Sequence, residues 1–83
     1  MRAAEAASLF RRLLRAARGM PTANRAAFVA RKVRDGFEAN RRETDPERVA
    51  FLVALGETHL DQIRAQAEHL TAVFADPGVH ARV

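Results

Sequence analysis

The sequence predicts an all-α protein, an antiparallel up-down-up three-helix bundle with a long third helix. Three observations lead there. Apolar residues recur at three- and four-residue spacing in three segments, no stretch alternates as a strand would, and the breaks are short. Short breaks make sequence neighbours antiparallel. Composition agrees, because Ala is the commonest residue and Arg outnumbers Lys thirteen to one. The 83 residues read as one domain, 1–83.

The first helix is expected over about 3–18. Ala6, Leu9, Phe10, Leu13, Ala16 and Ala17 form its apolar stripe, with Leu14 at the margin and Arg11, Arg12, Arg15 and Arg18 around the rest. Gly19 followed by Pro21 ends it. This segment is basic and amphipathic, as a mitochondrial targeting peptide is, yet it supplies a third of the core and is therefore expected to be retained.

The second helix is expected over about 24–41, capped by Thr22 or Asn24. Ala26, Ala30, Val33 and Phe37 share one face, flanked by Phe28 and Val29. Arg31, Lys32, Arg34 and Arg41 cover the remainder.

The third helix is expected over about 46–74, leaving 75–83 as a tail. Asp45-Pro46-Glu47 supplies a capping carboxylate, a first-turn proline and an acid at the positive end of the helix dipole. Val49, Leu52, Gly56, Leu60, Ile63, Ala67, Leu70 and Phe74 continue one stripe until Asp76-Pro77-Gly78. At about 1.5 Å per residue this helix approaches 45 Å.

Several function classes are disfavoured. No run approaches the roughly 20 apolar residues of a transmembrane helix. Without Cys there is no disulfide, thiolate metal site or Cys nucleophile. His59, His69 and His80 form no metal-binding spacing and read as surface histidines. Ser8 is the one serine, and the glycines at 19, 36, 56 and 78 are too scattered to cradle a phosphate. Neither catalysis nor a cofactor of its own is expected. A domain this small, without staples or metal, usually needs a partner.

Charge bears on that partner. Residues 1–42 carry eleven basic and three acidic side chains, a balance of +8, whereas 43–83 carry three and seven, a balance of −4. An acidic protein, a nucleic acid or an anionic membrane would each suit the basic half, and so would plain solvation. No helix-turn-helix spacing or aromatic platform supports nucleic acid, and none is expected as partner. Gly56, Ala67, Ala30 and Ala17 stand where a core would carry Leu or Ile. Close helix packing, an alanine-rich composition, or a groove for a linear apolar ligand would each account for them.

Ser8-Leu9-Phe10-Arg11 resembles the signature of the LYR-motif family, with Phe in the usual Tyr place. The basic run Arg31 to Asn40, with Phe37 within it, and Thr44-Asp45-Pro46-Glu47 extend the resemblance to about residues 8–74. The most similar branch is the one that accompanies the mitochondrial cysteine desulfurase. Its motifs are matched at Arg31 to Asn40, at Asp45-Pro46 and at Leu60 to Gln66, where Ala65 replaces a basic residue.

The resemblance implies a non-catalytic adaptor of the mitochondrial matrix that binds mitochondrial acyl carrier protein. It implies that Arg11, Lys32, Arg34 and Arg41 meet the acidic carrier and its phosphate. Phe10, Leu13, Val33, Phe37, Gly56 and Leu60 would line the path of the carrier's acyl-4'-phosphopantetheine. The client would be the cysteine desulfurase of iron–sulfur cluster biogenesis. Alternatives are respiratory complex I, the mitoribosome or another mitochondrial assembly as client, and, from other classes, a basic nucleic-acid-binding module or a membrane-surface helix.

Overall fold

A computed structural model describes residues 3–75 and contains three helices, with no strand among the described residues: α1 (Ala3–Arg18), α2 (Ala23–Ala39) and α3 (Pro46–Ala75). Local chemistry explains most of these limits. Thr22 is the α2 cap, with extended backbone (φ −127°, ψ 151°) and a hydroxyl oxygen that accepts from Arg25 N–H at 3.2 Å. Asn24, the alternative cap, lies inside the helix. The C-terminal end comes earlier than expected. Asn40 caps it, its side-chain amide donating to the Gly36 carbonyl at 2.8 Å, so Arg41 falls in the turn.

At α3, the Asp45 carboxylate accepts from Glu47 N–H at 3.2 Å, and its carbonyl accepts from Val49 N–H at 2.8 Å. Upstream, one Glu43 carboxylate oxygen accepts from the N–H groups of Thr44 and Asp45. The helix continues to Ala75, one residue beyond the expected 74. The expected stop at Asp76-Pro77-Gly78, the rest of the expected tail, and His80 lie outside the described residues.

α1 ends without a left-handed glycine, since no described glycine has positive φ. Gly19 and Met20 N–H donate instead to the carbonyls of Ala16 and Ala17. Hydrogen at the Gly19 α-carbon serves packing: a Cβ there would lie 3.2 Å from the Ala16 carbonyl oxygen and 4.0 Å from Ala67 Cβ.

The helices do not share contacts equally. α1 packs against both others, whereas no α2 Cα comes within 8 Å of an α3 Cα. Leu9, Leu13, Ala17 and Met20 form one buried row along α1. Leu9 and Leu13 join Leu60 of α3 as the buried cluster, with Val33 and Phe37 from one side and Val53 and Ile63 from the other. Phe10, early in α1, meets Phe37, late in α2. Along α3, residue 56 lies beside Leu9 and Ala67 beside Gly19. α2 buries no residue completely. The whole is elongated, 52 × 18 × 16 Å.

Gly56 is a point of close approach in the α1–α3 seam. A Cβ there would lie 2.6 Å from Leu9 Cδ2, so glycine admits Leu9 against the α3 backbone. Glycine in a helix costs about 1 kcal/mol relative to Ala, and burying Leu9 returns about 2 kcal/mol. Gly36 is unlike it, with nothing within 4 Å of its notional Cβ. Gly56→Leu should therefore displace Leu9 and destabilise by about 1–3 kcal/mol, while Gly36→Ala should stabilise by up to about 1 kcal/mol. Urea unfolding of the chain, purified with whatever partner it needs for folding and followed by far-ultraviolet circular dichroism, checks both; a Gly56→Leu protein as stable as the parent would show that the seam is loose.

Candidate partner-binding surfaces

The apolar residues singled out by sequence converge on one neighbourhood. Leu13 and Leu60 are in the buried cluster, Val33 and Phe37 pack on it half-buried, and Phe10 meets Phe37 edge-on with centroids 4.8 Å apart. These side chains come from all three helices, with the Cα atoms of α2 and α3 staying more than 8 Å apart. The result is a closed apolar trough: its floor, Leu9, Leu13 and Leu60, is at most 3% exposed and is covered by the half-buried Val33, Phe37, Val53 and Ile63. Gly56 borders it differently from what sequence suggests, because Leu9 occupies the space that its missing side chain leaves. Ala17 and Ala67 are buried as well. Small residues therefore bring helices close, while the α2 and α3 backbones stay apart.

The basic residues do not converge. Arg11, Lys32, Arg34 and Arg41 are all exposed. Lys32 and Arg34 are two positions apart on α2, so they face nearly opposite directions. The Lys32 ammonium lies over the Phe28 ring, 5.5 Å from its centroid. Arg41 pairs with Glu38 at 3.5 Å. Arg11 is two positions from both Leu9 and Leu13, which puts it on the side of α1 turned away from the buried row. It borders a shallow recess of about 160 Å³ with Leu14, Arg15 and Arg18. One shared anion site for all four cations is thereby excluded.

Arg12 has a separate role that the sequence did not disclose. Its guanidinium forks onto Glu57 of α3, Nη2 to Oε1 at 3.0 Å and Nη1 to Oε2 at 3.2 Å. Two parallel N–H···O bonds fix the angle as well as the distance between partners. The partners are 45 positions apart, so no local pattern announces the pair. With Ala4, Glu5, Ser8 and Val53 they border a second shallow cleft of about 290 Å³, shared by none of the trough residues.

Among the described residues, the large exposed apolar side chains are on α2 and α3: Phe28 (62% exposed), Phe51 (54%), Leu55 and Phe74. Phe51 is stacked by the Arg48 guanidinium at 5.3 Å. His59 and His69 are exposed on α3. No helix is long and apolar enough to cross a membrane, among the described residues.

Comparison with known proteins agrees with these features. The family model for Complex 1 protein (LYR family) matches residues 4–62, which include the α1 row, all of α2 and the Gly56–Leu60 region. The Salmo salar protein named LYR motif-containing protein 4B is 38% identical over 63 residues, covering 76% of this chain and 75% of its own length. A Drosophila melanogaster protein named LYR motif-containing protein 4 homolog is 39% identical over 62 residues, covering 75% and 67%. The Drosophila subobscura homolog is 34% identical over 62 residues, with the same coverage. No solved structure matches the chain. The Leu9-Phe10-Arg11 signature lies within the matched residues 4–62, and the chain belongs to the LYR family.

Proposed function

We propose that the protein is a non-catalytic mitochondrial adaptor, an up-down-up bundle that takes an acyl chain from mitochondrial acyl carrier protein between α2 and α3. The observation that carries this reading is the apolar cluster of Leu13 and Leu60, covered on the α2 side by the half-buried side chains of Val33 and Phe37 and lying between two helices whose backbones stay apart, in a chain of this family. Side chains that are only half-buried can swing aside, and a linear alkyl chain would then lie along the seam between α2 and α3. Burying about ten methylenes at about 0.8 kcal/mol each rivals the stability of a domain this size.

In this reading Phe10, Leu13, Val33, Phe37 and Leu60 line the acyl path, and Gly56 acts one step removed by seating Leu9. Lys32, Arg34 and Arg41 are the cations of α2 and its following turn that meet the acidic carrier and the phosphate of its acyl-4'-phosphopantetheine. Arg11 is removed from that set because it lies on the far side of α1. The client we assign is the cysteine desulfurase of iron–sulfur cluster biogenesis in the matrix. The resemblance of Arg31 to Asn40, Asp45-Pro46 and Leu60 to Gln66 to that branch supports the assignment. The matched family model is described as a complex 1 protein, which favours a respiratory complex I accessory role as the second reading.

Co-expression with the carrier should yield a complex whose intact mass includes an acylated phosphopantetheine; recovery of the chain free of carrier would overturn the reading. Expressed without carrier, the chain should be poorly folded or aggregate. A cooperative melt of the isolated chain above about 60 °C would count against the coupling. Arg34→Glu should abolish carrier recovery, and its effect acts through the carrier rather than the fold, since Arg34 is exposed and makes no ion pair among the described residues. Undiminished recovery would remove Arg34 from the site.

A further inference from the structure

Three of the four arginines in the second half of α1 make no ion pair to another helix among the described residues. Arg12 is committed to Glu57. Arg11, Arg15 and Arg18 are exposed and make no ion pair among the described residues. Their spacing of four and three places them in one row, opposite Leu9, Leu13 and Ala17. The row is not flat. Arg11, Arg15 and Arg18 border a recess with half-buried Leu14 between them. Arg15 and Arg18 also lie in the last turn of α1, where cations stabilise the helix dipole. That accounts for two residues and leaves Arg11, one turn earlier, and the recess unexplained.

We propose that this row is a second docking surface, separate from the trough, for an acidic amphipathic helix of a protein partner. The partner would set carboxylates against Arg11, Arg15 and Arg18 and seat one apolar side chain in the recess over Leu14. Guanidinium forks bind carboxylates at two points, which gives orientation as well as attraction. A lipid surface fits less well: the large exposed apolar side chains are on α2 and α3, so α1 has nothing to insert below the headgroups. A nucleic acid fits less well too, because the row spans only about 10 Å of helix and has no aromatic side chain to stack on a base. The proposal rests on the adaptor reading only in identifying the partner as the client; the recess and the row do not depend on the carrier.

The test uses the full chain as purified with whatever partner it needs for folding. The probe is a helical peptide with glutamates at i, i+3 and i+7 and a leucine at i+4, the order that opposes Arg18, Arg15, Leu14 and Arg11 when the two helices run antiparallel. Fluorescence polarisation should detect binding that weakens with salt, falls by about tenfold or more in Arg15→Glu/Arg18→Glu, and falls severalfold in Leu14→Ala. Carrier recovery and helicity should be unchanged in the double variant, which separates this surface from the trough. Peptide binding indifferent to the double variant would overturn the proposal. So would tighter binding of phosphatidylserine vesicles or duplex DNA than of the peptide. Loss of carrier together with peptide would assign the row to the carrier site and overturn the claim of a second surface. Failure to recover carrier with the unaltered chain would sink the carrier reading and leave the peptide measurement standing.

Discussion

A Cβ at residue 56 would lie 2.6 Å from Leu9 Cδ2, so the side chain of Leu9 keeps its observed place against α3 because that position is glycine. The rest of the architecture follows from that approach. With Leu9 against the α3 backbone, the same row of α1 reaches Leu60 through Leu9 and Leu13. Farther along, Gly19 comes beside Ala67. Arg12, one turn after Leu9, then stands level with Glu57 and forks onto it. Each of these contacts joins α1 to α3, and together they make one long seam with an apolar centre and a charged flank.

α2 joins this seam from one side only. Its stripe residues Val33 and Phe37 reach the α1 leucines, yet none of its residues is fully buried and its backbone stays clear of α3. A helix attached along one edge leaves its apolar side chains half-buried instead of enclosed. The extent of burial on α3 reflects this. Of its eight stripe residues, Val49, Leu60 and Ala67 are buried, while Leu52, Gly56, Ile63 and Leu70 stay half-buried and Phe74 is exposed. A stripe wide enough for two neighbours has been given one.

Helix existence was legible in the sequence because caps and stops are local. Thr22, Asp45-Pro46 and the Gly19–Pro21 break act on residues within a turn, and α1 matches its expected limits. The late end assigned to α2 failed for an equally local reason: Asn40 turns its amide back to Gly36. Met20 was missed because the flanking glycine and proline mark a loop, although its spacing from Ala17 continues the row of Leu9 and Leu13. The gap between α2 and α3 was not legible. Periodicity says that a face is apolar and is silent on which other face meets it. For the same reason Gly56 was legible as an oddity, while its cause, a leucine 47 positions earlier, required the fold.

The charge asymmetry changes meaning once each side chain has a place. A balance of +8 over residues 1–42 suggests one positive surface. Instead, Arg12 neutralises an α3 carboxylate, Arg41 pairs within its own turn, Lys32 covers Phe28, and Arg34 faces away from Lys32. Arg11, Arg15 and Arg18 form a row on one face of α1 and border a recess. A long polyanion is served by cations that follow one continuous path. Cations divided among the back of α1 and two flanks of α2 suit separate, short, acidic contacts. On the adaptor reading proposed above, that division would let a carrier and a client be held at once, since one shared basic face would make the two partners compete.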